Sequence, residues 1–187
     1  MSPITKYKRR DLLSFCGVGA YLCSCTAVGG VSKQTNSNQE GRRVVTGINA
    51  EGKSVILTDG VVPKNARHTE SKQLNINTLW VDNQVPVDID KKSETLEGYD
   101  FTLEPTNGGF KAYFLTMEPS FEADFHQTNT IDFVFIISGK LELLLEESST
   151  ILSCGDSVVQ RGTNHAWRVI GEEPCTMAAV MISAVKS

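Results

Sequence analysis

From residue 110 onward, runs of β-branched, aromatic and aliphatic residues alternate with polar ones and recur about every ten positions, the rhythm of an antiparallel sandwich or barrel. The runs are 110–117 (FKAYFLTM), 131–138 (IDFVFIIS), 140–146 (KLELLLE), 149–153 (STILS), 156–160 (DSVVQ), 164–170 (NHAWRVI) and 175–183 (CTMAAVMIS). Upstream, 42–48 (RRVVTGI), 53–58 (KSVILT) and 76–82 (INTLWVD) have the same character. No helical stripe and no long repeat interrupts them, so the pattern predicts an all-β fold. Ser138-Gly139 and Cys154-Gly155-Asp156 lie between apolar runs, and glycine supplies the positive φ a tight hairpin needs. Residues 59–75 and 83–100 are polar and irregular; they read as loops over a barrel mouth, with one helical turn around Ser93–Leu96. The pair of runs in 42–58 is assigned to the same domain, because a lone two-stranded hairpin is not stable.

One run is apolar on both faces. Phe133, Phe135 and Ile137 fall on one side, Val134 and Ile136 on the other. A strand of this kind needs a second layer outside it, and a second copy of the chain supplies one, so a homodimer is expected.

The N-terminus has a different pattern. Residues 1–11 are polar and basic, ending in Lys8-Arg9-Arg10-Asp11; 12–30 are uncharged and mildly apolar; 32–41 are polar and turn-rich. That order is the order of a secretory signal peptide, and the paired arginines resemble a twin-arginine signal. Leu22-Cys23-Ser24-Cys25 resembles a lipoprotein processing site with Cys25 as the lipid-bearing residue, while cleavage near Ala27 is the simpler option. An uncleaved anchor is the alternative, though four glycines weaken the segment as a span. The expected organisation is a signal segment at 1–30, a linker at 31–41 and a β-barrel domain at 42–187 with its core at 110–183. The protein is expected to be exported, either periplasmic or lipid-anchored at the envelope, with any membrane attachment made through this segment.

Composition and charge narrow the partners. The 187 residues are 40% hydrophobic and 21% charged, enough for one packed domain. Four basic residues against one acid give residues 1–30 a net charge of +3, which leaves −7 on the rest of a chain whose total is −4. So acidic a body disfavours nucleic acid and anionic surfaces and favours a small molecule. Of five cysteines, Cys16, Cys23 and Cys25 belong to the N-terminal stretch. Cys154 and Cys175 read as small buried hydrophobes rather than a disulfide.

Of the three histidines, His126 and His165 fall in the densest β region and, with Asp132, carry the candidate chemistry. In one straight strand His126 and Asp132 would lie roughly 20 Å apart. The turn-prone stretch Gln127 to Thr130 predicts a reversal that brings them together. His165 opens a strand whose next inward side chains are Trp167 and Val169, which places an aromatic wall beside a titratable group. His68 reads as a solvated surface residue, Trp80 as core and Arg161 as a solvated hairpin position. No Ser–His–Asp triad, phosphate loop or zinc cysteine spacing is present.

The segment from His126 through Gly139, followed by Gly155-Asp156 and Gln160-Arg161-Gly162-Thr163-Asn164-His165-Ala166-Trp167, resembles the two motifs of the cupin superfamily. The first motif there is a His-x-His pair, an acid, and a Gly after six more residues. The second is a Gly, then a Pro-x-Gly turn followed by His. His126 stands in the first His place, Asp132 in the acid's place, and His165 in the second motif's. Thr128 stands where the second His would be, Asp132 replaces the more usual Glu, and Gln160-Arg161 replaces the Pro turn. The likeness is to small single-domain cupins of type 2, and Arg42 to Gly47 with Asp59-Gly60 resembles the start of that subgroup.

The resemblance implies an antiparallel jelly-roll barrel with a ligand pocket. It implies a divalent metal (Fe, Mn, Zn or Ni) held by His126, Asp132 and His165, or else the same three residues exchanging protons without metal, with Thr128 and Trp167 lining the substrate pocket. Two His and one carboxylate suffice for a facial triad with open positions. Two functions follow. One is an enzyme, a metal-dependent oxygenase, isomerase or decarboxylase/dehydratase; the other is a non-catalytic ligand-binding barrel of the cell envelope.

Overall fold

Inward-facing positions alternate with outward ones along the central strands of the computed structural model, which describes residues 41–89 and 95–186. The predicted signal segment and most of its linker lie outside the described residues. The described residues form eleven strands: β1 (Arg42–Ile48), β2 (Ser54–Val61), β3 (Arg67–Ser71), β4 (Leu74–Asp82), β5 (Phe110–Met117), β6 (Thr130–Ser138), β7 (Lys140–Leu145), β8 (Ser149–Ser153), β9 (Ser157–Gln160), β10 (His165–Val169) and β11 (Cys175–Ser183). The only helix among the described residues is one short 3₁₀ turn, Lys64–Ala66.

All pairings are antiparallel. Six strands form one sheet in the order β3-β4-β5-β11-β6-β9, three form another as β10-β7-β8, and β1 pairs with β2 in a separate ribbon. Leu74, Ile76, Leu115, Met117, Val134 and Ile136 of the large sheet meet Leu141, Leu143, Trp167 and Val169 of the small one, and this is the main core. Burying side chains of this size stabilises the fold by about 1.5–3 kcal/mol each before entropy is counted. The expected closed barrel is replaced by an open sandwich. Edge strands β8 and β9 are five and four residues long, too short to carry the ladder around and join the sheets.

Strand limits at 42–48, 110–117, 149–153 and 175–183 agree with the sequence pattern. The reading of 59–75 as loop does not hold: β2 runs on to Val61, and β3 pairs with β4 through Arg67–Asn77 and His68–Ile76. An edge strand exposed over most of its length has no apolar alternation to mark it. Around the predicted turn at Ser93–Leu96 the described residues 95–98 form a turn, and Ser93 lies outside them. Leu96 is fully buried with Val62 and Ala66 against Leu79, Val81 and Tyr99. The Asn65 amide donates to the Leu96 and Tyr99 carbonyls at 2.7 and 3.2 Å, which pins this loop.

Cys175 is buried as expected, but Cys154 is exposed in the turn before β9, and both thiols are free. The outer face of β6 is bare: Phe133, Phe135 and Ile137 are 37%, 47% and 48% exposed, whereas Val134 and Ile136 are buried. No helix of the described residues is long and apolar enough to cross a membrane.

Candidate functional site

The sandwich is dry at one end and polar at the other, because the inward positions change character along each strand. In β6 they run Ile136, Val134, Asp132, Thr130; in β5, Met117, Leu115, Tyr113, Lys111; in β10, Val169, Trp167, His165. At the polar end the sheets enclose a cavity of about 530 Å³ whose lining includes His68, Phe101, Lys111, Tyr113, His126, Thr128, Asp132, His165 and Trp167. All five residues expected at the site from sequence therefore share one cavity.

His126 reaches it by a different route from the predicted hairpin. The chain before β6 runs beside β10, pairing Glu122 with Arg168 and His126 with His165. His126 and His165 exchange backbone hydrogen bonds of 2.9 Å in both directions. The chain then crosses from the small sheet to β6 in the large one, which sets His126 and Asp132 on facing walls. Gly162 makes the crossing feasible. Its φ is +57°, and a Cβ there would sit 3.0 Å from the Thr128 carbonyl oxygen, so a side chain would strain the corner. Gln127 locks the same corner, donating to the Gly162 carbonyl at 2.5 Å.

The two imidazoles are held alike. Nδ1 of His126 donates to the Asp124 carbonyl and Nδ1 of His165 to the Thr163 carbonyl, each at 2.9 Å. A carbonyl only accepts, so Nδ1 carries a proton in each ring and Nε2 is the nitrogen left untied to the backbone. The ring centroids are 4.4 Å apart, and Trp167 meets His165 edge-on at 5.5 Å. Burial lowers the His165 pKa, opposed by the hydrogen bond to the Thr163 carbonyl, with the charge on His126 adding a smaller lowering. His165 is therefore a neutral base at neutral pH.

Asp132 moves the other way. It is 6% exposed, and burial raises its carboxyl pKa, opposed by a hydrogen bond from Thr130 and by His126, with Glu104 adding to the rise. Its Oδ1 is buried with no hydrogen-bond partner. A buried carboxylate oxygen left unpaired is costly, and it marks a place for a proton or a ligand donor. Thr128 is buried, and its hydroxyl lies 2.7 Å from that of Thr130. It thus occupies the wall as a hydrogen-bonding group.

Three residues escaped the sequence reading. Lys111 is 1% exposed; Tyr113 stands beside it on the inward face of β5, and burial together with Asp132 pushes its phenol pKa up. Their signal was present, since Lys111 and Tyr113 continue the inward alternation of Leu115 and Met117. His68, expected in solvent, lies flat against Phe101 at 4.0 Å and lines the cavity. It is there because β3 is a strand paired to β4.

The donor set bears on metal binding. Two imidazoles with ring centroids 4.4 Å apart offer two nitrogen ligands. Among the described residues, however, no three His, Cys, Asp or Glu side chains are grouped closely enough to hold one. The residues described do not make a three-ligand centre in this arrangement.

These features define a class: an antiparallel β-sandwich with a polar, histidine-lined cavity between its sheets. Residues 113–182 match the family model described as Cupin domain. Phomopsin biosynthesis cluster protein C' of Diaporthe leptostromiformis is 35% identical over 88 residues, 44% of this chain and 47% of that one. The chain thus spans about half the length of that relative. The cupin-domain-containing oxidoreductase srdD of Neurospora crassa is 28% identical over 129 residues, 67% of this chain and 64% of the relative. Among solved structures, the Schizosaccharomyces pombe Cnp3 cupin domain aligns at 13% identity and a TM-score of 0.47, over 77% of this chain and 88% of that one.

Proposed function

We propose that this chain is a cupin that binds a small molecule in its cavity and moves protons on it, as an isomerase or dehydratase does. The observation that carries the reading is the opposed tuning of Asp132 and His165 in one cavity: burial holds the first toward its acid form and the second in its base form. Two titratable groups pushed in these directions make a general acid and a general base at the same pH. In this scheme Nε2 of His165 takes a proton from a bound substrate, and Asp132 returns one through its otherwise unpartnered oxygen. His126 sets a second imidazole 4.4 Å from that of His165, and Trp167 packs edge-on against the His165 ring.

The metal-assisted alternative, to which the oxidoreductase name of the Neurospora relative lends support, draws on the same Nδ1 anchoring. In that alternative the two imidazoles of His126 and His165 would hold a divalent ion without Asp132, and the ion would supply Lewis-acid chemistry. Export through the N-terminal segment belongs to the proposal, as does a homodimer built on the bare outer face of β6. That face has a second copy as its natural occupant, because Phe133, Phe135 and Ile137, with Val159 of β9 paired to Phe133, form an uncharged patch. One self-complementary patch closes as a two-fold pair.

The test is solvent deuterium exchange. Chelator-treated protein is incubated in D₂O with a panel of small carbonyl and hydroxy compounds, and label is read by mass spectrometry. Proton transfer without metal predicts label that survives the chelator and is lost in Asp132→Asn and His165→Gln. Label lost on chelation and restored by one added metal favours the metal reading. No label under either condition favours a binding barrel.

A further inference from the structure

Lys111 is a buried cation facing the cavity with no acidic partner among the described residues. Its ammonium donates to the carbonyls of Thr102 and Leu103, the latter at 2.9 Å. It also lies 4.6 Å from the centroid of the Phe101 ring and 5.6 Å from that of Tyr113. Two carbonyls use two of its three N–H donors, which leaves one uncommitted. Asp132 is not its partner. In the ladder, Met181 pairs with Lys111 on one side and Asp132 on the other, so the two Cα atoms stand two strand spacings apart, about 10 Å. The groups acting on the Asp132 carboxyl are Thr130, Glu104 and His126. The cavity therefore holds a cation at one point and a carboxyl with an unpaired oxygen at another, with Met181 between them.

Burying a charge without a counter-ion is costly, and Lys is almost never this buried unless paired. Pinning the 101–104 loop explains the two carbonyl contacts but not a position on the cavity wall with a donor to spare. We infer that Lys111 is the receptor for an anionic group on the ligand, and that the ligand is a small organic carboxylate whose apolar body packs against Phe101, Tyr113 and Trp167. One free donor on one ammonium satisfies more of a carboxylate's two oxygens and single charge than of a phosphate's larger charge and oxygen count, which this buried wall would leave unmet. With the carboxylate on Lys111, the ligand's next carbons extend toward Asp132 and His165, where the proposed proton transfer takes place. This inference rests on that reading for the reaction but not for binding.

The experiment measures binding of a panel of cavity-sized monocarboxylates, such as phenylacetate and cinnamate, each against its neutral amide, by isothermal titration calorimetry. Inorganic phosphate serves as an anion control. In the native protein at least one acid is expected to bind about tenfold or more tightly than its amide, the effect of one charge-assisted hydrogen bond, and phosphate is expected not to compete. In Lys111→Met the acid should fall to the affinity of its amide while the amide is unchanged. Equal affinity of acid and amide across the panel in the native protein would overturn the inference, and that measurement needs no folded variant. So would a Lys111→Met protein that keeps the preference, or one in which acid and amide weaken together, as loss of a merely structural lysine would produce. Amide binding without acid preference leaves the proton-transfer reading standing. Acid preference without deuterium exchange leaves the receptor standing and removes the reaction.

Discussion

Burial shifts Asp132 toward its protonated form and His165 toward its neutral form, and stability follows from that. A carboxyl whose pKa is raised on folding contributes stability that is present below the unfolded value and lost as pH rises through the folded one; an imidazole whose pKa is lowered contributes stability that is lost as pH falls below the unfolded value. Asp132→Asn keeps the shape and removes the burden of a buried charge. We expect it to match or exceed the native protein in stability at pH 7.5, by about 1 kcal/mol in urea unfolding, while deuterium exchange disappears. A loss of more than about 2 kcal/mol would mean that Asp132 is a structural partner instead. Lys111 supplies a second test. Burial lowers its ammonium from 10.5 to about 8, so the unfolded chain holds that proton and the folded one does not between those two values. Native stability should rise across that window relative to Lys111→Met, by up to roughly 3 kcal/mol. Parallel urea unfolding at pH 7.5 and 10 reads the difference.

At the scale of elements, the site depends on the corner where the chain leaves β10's flank and enters β6. Gly162→Ala places a methyl group against the Thr128 carbonyl at a positive φ. We expect it to cost about 1–3 kcal/mol and to loosen His126 and Asp132 together, seen as a lower Tm and weaker ligand binding. The stretch Gln127 to Thr130 was legible as a place where the chain changes direction, since its residues favour turns. That the change is a crossing between sheets, with His126 paired to His165, was not legible, because the partner strand lies almost forty residues away. Strands with one buried face were readable from alternation alone, and Lys111 and Tyr113 fall on the readable face of β5. Strand β3 was not, for as an edge strand with mostly exposed side chains it leaves no period-two signal. His68 was misplaced for the same reason.

The whole molecule presents the uncharged patch of Phe133, Phe135, Ile137 and Val159. Exposed apolar clusters of this kind mark interfaces. Phe135→Asp is expected to convert a dimer to a monomer in sedimentation velocity at micromolar concentration, with the cavity still able to bind; a native protein already monomeric there would remove the homodimer from the proposal.

By itself the sequence determined the all-β class, the positions of most strands, and the inward set His165, Trp167 and Val169. These follow from side-chain alternation, a property of each strand taken alone. Only the tertiary structure decided that the sandwich stays open, that His126 reaches its site by pairing with His165, and that Lys111 and Asp132 occupy one cavity without meeting. Those facts depend on which strands lie side by side and on how far apart two sheets are held, and local pattern carries no information about either.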